Sequence, residues 1–396
     1  IEVFCGGLRN PYGIAFNRHG EAFTYDADAE NDMGTPWYRP TRVKHLTSGA
    51  DFGWRAVTGS WPPYYPDHPD NAQPTAHIGK GSPTSVKFGY GSGFPPAYRN
   101  ALFVLDWTFG RILAVHLIER GAGYAGVPEV FLQGRPLNVT DLAFGPDGAM
   151  YFVTGGRRTK STLYRVRYTG TNGPRSRSTQ QQTARVKSSE KARKIRRSLE
   201  GYHGNGKAIQ DLSDSSHGDG LAGKLVSLWG HLGNVDPRIR QAARIALEHL
   251  PLNHWRSAAL SQNGEPRALL TAWTALIHAE LEQSPAILSR LTKLDLGSQD
   301  EDLTLQALHL HTLCLTGDTG LFMEAILAQL RPLFPNSSEK LNWSLAPLLI
   351  TLDPNWAVSR TVELLKNCEA PTQTVHYLHH LRHAKTGWTP TLRETY

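Results

Sequence analysis

Four carboxylates crowd into one short stretch of the chain, directly after a run that reads as a β-strand. Asp26, Asp28, Glu30 and Asp32 lie within seven residues, and Gly34 closes the stretch. Hard carboxylate oxygens in a glycine-terminated loop suit Ca²⁺, although the spacing is not that of an EF-hand. The alternative is an acidic turn neutralised by arginines that follow it: Arg39, Arg42 and Arg55. The pattern leaves a cation site and an ion-pair cluster equally open.

Two further groups of residues could do chemistry. Arg9 and Asn10 offer a planar guanidinium and an amide before the acidic stretch, and arginine suits bidentate capture of a carboxylate. On composition alone, a structural arginine is the simpler interpretation. Four histidines are spaced for one helix face: His376, His379, His380 and His383. They could bind a metal, but no carboxylate accompanies them, so an ordinary helix stripe is the preferred interpretation.

An internal repeat indicates which elements position these groups. Residues 12–25 align with residues 140–153 at an offset of 128, and each copy predicts a strand, a glycine turn and a second strand. The identical pairs are Ala15/Ala143, Phe16/Phe144 and Gly20/Gly148. A looser copy runs from 85–88 to 101–105. The offset corresponds to about three blades of roughly 40–45 residues, the period of a β-propeller.

The hairpins predict which distant residues meet. A hairpin places the residues before its first strand beside those after its second. We therefore expect three juxtapositions: Arg9 and Asn10 with Asp26 and Asp28, Ser82 and Pro83 with Asp106 and Trp107, and Asn138 with Gly155, Gly156 and Arg157. Equivalent ends of propeller blades converge on one face, so these residues should rim a single cleft.

The second half of the chain has a different character. Leu- and Ala-rich segments with helical periodicity follow one another from about residue 190, and the clearest begins with Asp236 as N-cap and Pro237 at the first helical position. Its apolar stripe consists of Ile239, Ala242, Ala243, Ala246, Leu247 and Leu250. Paired helices of this kind predict an α-solenoid of HEAT type, with a helical bundle as the alternative. We expect propeller blades over 1–168, a basic flexible linker over 169–189 and the helical repeats over 190–396.

Charge and composition restrict the possibilities further. The net charge of +7 comes entirely from the segment 170–200, which has nine basic and two acidic residues. This segment is either a plain basic linker or a contact to an acidic surface. The balanced remainder gives no reason to expect nucleic-acid binding, and no apolar run is long enough to span a membrane. The three cysteines form neither a zinc motif nor a haem-attachment motif.

Long motifs in the first half resemble the soluble glucose/sorbosone dehydrogenase family. The matching stretches are 7–16, GLRNPYGIAF, and 49–54, GADFGW, on either side of the acidic loop. A closer similarity is to a subfamily of large planctomycete and verrucomicrobial proteins, often named membrane-bound dehydrogenases. Its signatures resemble 34–43, 106–112 and 155–165, and its HEAT-like region resembles 236–249. The resemblance implies a six-bladed propeller that uses pyrroloquinoline quinone (PQQ) and Ca²⁺, followed by HEAT-like repeats.

The resemblance implies roles for particular residues. Arg9 and Asn10 match the family's quinone-contacting pair, and the Ca²⁺-binding loop matches Asp28, with Asp26 and Asp32 as further ligands. Two family arginines have no counterpart in 137–141, and the neighbouring Arg157 and Arg158 could take their place. The implied substrate cleft contains Asp106, Trp107 and Arg111. The catalytic histidine of the family would precede Ile1.

These observations together predict a function. We expect a fragment of a PQQ-type sugar or alcohol dehydrogenase that passes electrons to a c-type cytochrome in the periplasm or elsewhere outside the cytoplasm. The chain begins at Ile1 without a leader, so we expect an internal piece of a longer protein that does not turn over alone. The alternative is a non-catalytic propeller that binds carbohydrate or protein on a HEAT scaffold, with a protein partner along the solenoid.

Overall fold

The computed structural model describes residues 1–27, 39–55, 68–170, 180–204, 221–261, 263–315 and 320–396. The chain divides into two compact units. The first comprises Ile1–Gly204 with Asp236–Ala242, and the second comprises Asn205–Val235 with Ala243–Tyr396. All the strands of the described residues lie in the first unit, and the second is helical. The predicted order of a β-rich part followed by an α-rich part is confirmed.

Strands of the first unit form three antiparallel sheets. Their bounds are β1 Ala15–Phe16, β2 Ala22–Asp26, β3 Thr41–Leu46, β4 Ala76–Gly79, β5 Pro83–Phe88, β6 Leu102–Asp106, β7 Arg111–Arg120, β8 Gly123–Gln133, β9 Val139–Phe144, β10 Met150–Thr154 and β11 Thr162–Val166. The sheets contain β1–β4, β5–β8 and β9–β11, each with sequential strands as neighbours. This up-and-down order is the strand order of a propeller blade.

The two predicted hairpins have the same geometry. In both, a five-residue loop joins the strands, and the N–H of its glycine donates to the carbonyl three residues earlier. Gly20 and Gly148 both have a φ of 74°, a conformation that glycine adopts without strain. The alignment of residues 12–25 with residues 140–153 is therefore a structural repeat.

The number of blades within that repeat was predicted wrongly. Among the described residues, one further four-stranded sheet lies between the first and third sheets, so the offset of 128 residues spans two sheets and not three. Both repeats are longer than the usual length of about 40–45 residues. The first repeat is the longer, because residues 27–40 separate β2 from β3 and residues 47–75 separate β3 from β4. In the second repeat, the short helix α1, Pro96–Arg99, lies between β5 and β6, and β7 and β8 form a long hairpin across Arg111–Gln133.

Apolar side chains from facing sheets pack into two clusters. Phe23, Tyr25 and Val43 of the first sheet pack with Val86 and Val104 of the second. On the other side of the second sheet, a separate cluster comprises Phe103, Leu105, Ile112, Val139, Leu142 and Phe152, among others. Successive residues of β6 thus serve opposite faces, as the period of a strand requires. These two apolar clusters join the three sheets and so fix the positions of the strand ends.

A helix occupies part of the predicted linker. The helix α2 spans Gln180–Glu200 and belongs to the first unit, so the prediction of a flexible linker over 169–189 is wrong for 180–189. Residues 171–179 lie outside the described residues. Charged side chains attach this helix to the first unit. Its buried Arg196 donates to Glu21 of the first sheet at 2.6 Å.

The remaining helices are short and closely spaced. Their bounds are α3 Leu221–Leu232, α4 Pro237–Glu248, α5 Arg256–Ser261, α6 Pro266–Ala279, α7 Ser284–Leu291, α8 Glu301–Cys314, α9 Met323–Leu330, α10 Glu339–Leu352, α11 Pro354–Lys366, α12 Pro371–Leu381 and α13 Pro390–Thr395. Single 3₁₀ turns lie at Leu252–His254, Leu281–Gln283, Leu296–Ser298, Gly320–Phe322 and Arg331–Leu333. In the second unit, α6 packs on α3, α8 on α6, α10 on α8 and α12 on α10. The helices α7, α9 and α11 pack beside this row.

The stripe predicted for α4 is confirmed. All six of its apolar side chains are buried: Ile239, Ala242, Ala243, Ala246, Leu247 and Leu250. The predicted cap is also present, because the Asp236 carboxylate accepts from the Arg238 N–H at 2.9 Å. Across the described ranges, no helix combines the length and apolar character that a membrane span requires.

Candidate functional site

Asp26 ends β2 and is completely buried. Its carboxylate accepts from the Asn10 N–H at 2.7 Å and from the Arg9 N–H at 3.1 Å. The third donor is the Lys44 ammonium on β3, at 2.6 Å. The hairpin argument is therefore confirmed for Arg9 and Asn10, whose backbone is tied to the end of the neighbouring strand.

Lys44 gives Asp26 a structural partner. Its side chain is as fully buried as that of Asp26, and the ammonium also lies 5.1 Å from the centre of the Phe52 ring. A buried ion pair is stable only with close geometry and additional hydrogen bonds, and both are present here. At Asp26 the geometry favours the ion-pair alternative, because a cation would have to displace a buried ammonium. Asp28 and Asp32 lie outside the described residues.

The second sheet repeats this arrangement at the end of β6. Asp106 is buried, and it accepts from the Ser82 N–H at 2.8 Å. The guanidinium of Arg111, at the start of β7, donates to the same carboxylate from Nε at 2.9 Å and Nη2 at 2.5 Å. The predicted meeting of Ser82 with Asp106 is confirmed. In both sheets, one carboxylate joins the chain before the first strand to a cation on the third strand.

Hydrogen bonds join the ends of the second and third sheets. The Trp107 indole N–H donates to the Gly155 carbonyl at 2.7 Å, and the Asn138 amide donates to the Trp107 carbonyl at 3.0 Å. Within the third sheet, the Gly155 N–H donates to the Asn138 carbonyl at 3.0 Å. The third predicted juxtaposition, of Asn138 with Gly155, is confirmed.

The ends of the first and second sheets approach each other at Gly81. A β-carbon built on this residue would lie 2.8 Å from the Tyr25 hydroxyl and 3.1 Å from the Asp106 carboxylate. Only glycine fits between these two groups. The loop ends of all three sheets therefore lie close together, and we call the surface formed by residues 9–10, 81–83, 106–111, 138 and 155–158 the loop face.

Two arginines project from the loop face in an unusual backbone conformation. Arg157 and Arg158 have φ values of 46° and 67°, and both are exposed. The Arg157 guanidinium lies 5.4 Å from the centre of the Trp107 ring. Within the described part of the chain, no carboxylate pairs with either arginine. Consecutive left-handed residues other than glycine are costly, and such strain is concentrated at binding sites.

The helical histidines form contacts with one another. His376 lies against the Trp343 carbonyl at 3.0 Å, and the rings of His376 and His380 are 4.6 Å apart. Burial lowers the pKa of His376 to about 4. Among the residues that the structure describes, no group of three potential ligands could hold a metal ion. The helix-stripe interpretation fits this arrangement.

A buried charge network was not anticipated from the sequence. The Glu21 carboxylate accepts from Arg196, from Arg197 and from the His45 imidazole, each at 2.6 Å. Burial opposes ionisation of Glu21, but the His45 hydrogen bond and the charges of both arginines lower its pKa to about 2. Burial lowers the pKa of His45 to about 4. The network fastens α2 to the first sheet.

Lys44 was also not predicted as the partner of Asp26, although its place on the strand after the acidic stretch could have indicated this role. A strand after the acidic loop must pair with β2, and in the observed register Lys44 lies opposite Thr24. Arg55, one of the arginines expected to neutralise the acidic stretch, instead pairs with Asp51 at 2.5 Å. The register between β2 and β3 thus determines which cation pairs with Asp26.

Comparisons with known proteins identify structural likeness only. No family model and no curated protein matches the chain. A glucose dehydrogenase-type oxidoreductase from Thermus thermophilus matches with 22% identity and a TM-score of 0.33, covering 41% of this chain and 47% of its own. The PQQ-bound aldose sugar dehydrogenase of Streptomyces coelicolor matches with 15% identity and a TM-score of 0.30, covering 41% and 44%.

A third solved structure, described as a glucose dehydrogenase, has 23% identity and a TM-score of 0.34. It covers 42% of this chain and 47% of its own length. The chain thus spans less than half the length of each of these solved structures.

Proposed function

We propose that the loop face is the ligand-binding face of a PQQ-type sugar or alcohol dehydrogenase-like propeller. The observation that carries the proposal is the convergence of three sheet ends, two of them braced by buried Asp–cation pairs. This scaffold presents Trp107, Arg157 and Arg158 on the turns that follow β6 and β10. A rigid scaffold that carries variable polar loops is the usual construction of a binding site.

The residues fit an anionic cofactor better than a cation at Asp26. The exposed guanidinium groups of Arg157 and Arg158 suit the carboxylates of PQQ, and the Asn10 amide suits a carbonyl oxygen. When bound, the quinone would supply the hydride acceptor. The role of this chain would be to bind and orient its ligands. Ca²⁺ does not fit at Asp26, whose oxygens already accept from two amides and an ammonium.

The second candidate is a non-catalytic carbohydrate-binding propeller. The buried carboxylates at the ends of β2 and β6, Asp26 and Asp106, are paired with cations and have no solvent exposure, so neither is available to a ligand. This observation favours binding without chemistry by the described residues. In either case we propose a sugar or related alcohol as the ligand.

The finer features of the parent protein follow as proposals. We propose that the sheets are blades of a propeller and that the second unit is a HEAT-like solenoid, since alternate helices stack in one row with partners beside them. A c-type cytochrome as electron acceptor, a protein partner along the solenoid and a location outside the cytoplasm belong to the same proposal.

A titration separates the two candidates. We would follow PQQ binding by absorbance and sugar binding by calorimetry, using the full chain and the variant Arg157→Gln/Arg158→Gln. A matched control, Arg360→Gln/Arg393→Gln, removes the same charge from the second unit. The dehydrogenase proposal predicts PQQ binding that the first variant weakens about tenfold or more and the control leaves unchanged.

The other outcomes are equally informative. Sugar binding without PQQ binding would support the carbohydrate-binding candidate. If neither ligand binds, or if both variants behave alike, the loop face is not the site. Repeating the PQQ titration with Ca²⁺ and with EDTA tests whether a bound cation assists PQQ binding.

A further inference from the structure

The helix α2 carries seven basic residues. Those on the side that packs against the first unit differ in their surroundings from those on the opposite, exposed side. On the inner side, Arg193 and Arg196 are buried. Arg196 donates to Glu21, and Arg193 lies 3.3 Å from Glu119. Carboxylates of the first unit therefore neutralise this side, and these ion pairs attach the helix to the sheets.

The outer side carries a row of lysines. Lys187, Lys191 and Lys194 follow the spacing i, i+4, i+7, are exposed, and lie opposite the buried stripe. No carboxylate of the described residues pairs with their ammonium groups. Glu190 is the one acidic residue on this side of the helix. At a rise of 1.5 Å per residue the row is about 10 Å long.

Part of this row weakens the helix that bears it. Lys187 and Lys191 are like charges four residues apart and repel each other, whereas Glu190, four residues before Lys194, offsets part of this repulsion. Residues 180–188 are in addition exposed on every side, so no packing against the sheets compensates for the repulsion. An anionic surface laid along the row would remove the repulsion and cover the exposed turns.

We propose that the outer side of α2 docks an acidic protein surface, with Lys187, Lys191 and Lys194 facing a matching row of carboxylates. The row contains no large apolar side chain that could insert into a membrane. It also contains no aromatic residue on which a base could stack. Lysine ammonium groups are compact, strongly hydrated charges, so the contact is fast, reversible and sensitive to salt.

The test uses an acidic polypeptide as probe. We would titrate poly-L-glutamate into the full chain at low and physiological salt, and compare it with a DNA duplex and with vesicles containing phosphatidylserine. The test variant is Lys187→Gln/Lys191→Gln/Lys194→Gln. The control variant, Lys293→Gln/Lys340→Gln/Lys366→Gln, removes three exposed lysines from the second unit and so has the same net charge.

The expected result is that poly-L-glutamate binds the wild type and the control equally, and binds the test variant about tenfold more weakly, since three exposed ion pairs are lost. Circular dichroism should show the same helix content in all three proteins. Equal binding by the two variants would overturn the proposal. Tighter binding of the DNA or the vesicles than of poly-L-glutamate, lost in the test variant alone, would assign the row to that other partner.

Discussion

Removing one partner of the Asp26–Lys44 pair should strongly destabilise the first unit. Both side chains have zero solvent exposure, and their charged atoms are 2.6 Å apart. Asp26→Asn removes the carboxylate that lies 2.6 Å from the buried ammonium, and Lys44→Met removes the ammonium from the buried carboxylate. Breaking a buried pair in this way costs about 3–5 kcal/mol, because the remaining charge loses its closest opposite charge.

The double variant Asp26→Asn/Lys44→Met provides the decisive comparison. It removes both charges, so its loss of stability should fall short of the sum of the single losses by about 2 kcal/mol or more. Asp106→Asn is the matched comparator in the second sheet. Its partner Arg111 is 19% exposed, so solvent can stabilise the released charge and the cost should be smaller.

Native-state hydrogen exchange measured by mass spectrometry is the suitable assay. The chain has two units, and exchange reports the opening free energy of β2 and β3 separately from that of the helices. Peptides that contain Arg9 and Asn10 should lose protection in Asp26→Asn. Single losses below about 1 kcal/mol, or strictly additive losses, would refute the view that this pair holds the loop face.

Three further predictions concern other parts of the chain. In urea unfolding, Gly7→Ala should lower the free energy of unfolding more than Gly20→Ala does. Both glycines have positive φ, but a β-carbon at Gly7 would lie 2.5 Å from a backbone nitrogen, whereas a β-carbon at Gly20 would meet open space. Because burial lowers the pKa of His45 from 6.5 to about 4, the unfolded chain binds this proton first. Exchange protection of β3 should therefore fall between pH 6.5 and 4, and His45→Gln should flatten that window. Ala243→Asp would bury an unpaired charge in α4 and should lower the melting temperature of the second unit by several degrees; an unchanged value would refute the assigned stripe.

The features that were predicted correctly depend on residues that are close together in the sequence. The hairpins at Gly20 and Gly148 follow from turn residues within five positions, and the buried face of α4 follows from its own periodicity. The juxtapositions of Asn10 with Asp26 and of Asn138 with Gly155 needed only the rule that hairpin ends lie side by side.

The features that were not predicted depend on contacts between residues that are far apart in the sequence. The partner of Asp26 depends on the register between β2 and β3, which places Lys44 within reach. The helix α2 lacks an apolar face, and it is fixed by Glu21, about 175 residues earlier in the chain. Composition therefore indicated a linker where ion pairs hold a helix. The blade count was wrong because additional residues between the strands, most of them in the first sheet, lengthen both repeats.

The most direct test of the account is hydrogen exchange of the full chain with and without PQQ and a neutral sugar. Added ligand should protect peptides covering Arg9–Asn10, Asp106–Arg111 and Gly155–Arg158 together, because these segments form one face. Protection of these segments should also weaken in the variant Arg157→Gln/Arg158→Gln. Protection confined to the helices of the second unit, or no change at saturating ligand, would contradict the claim that the loop face binds the ligand.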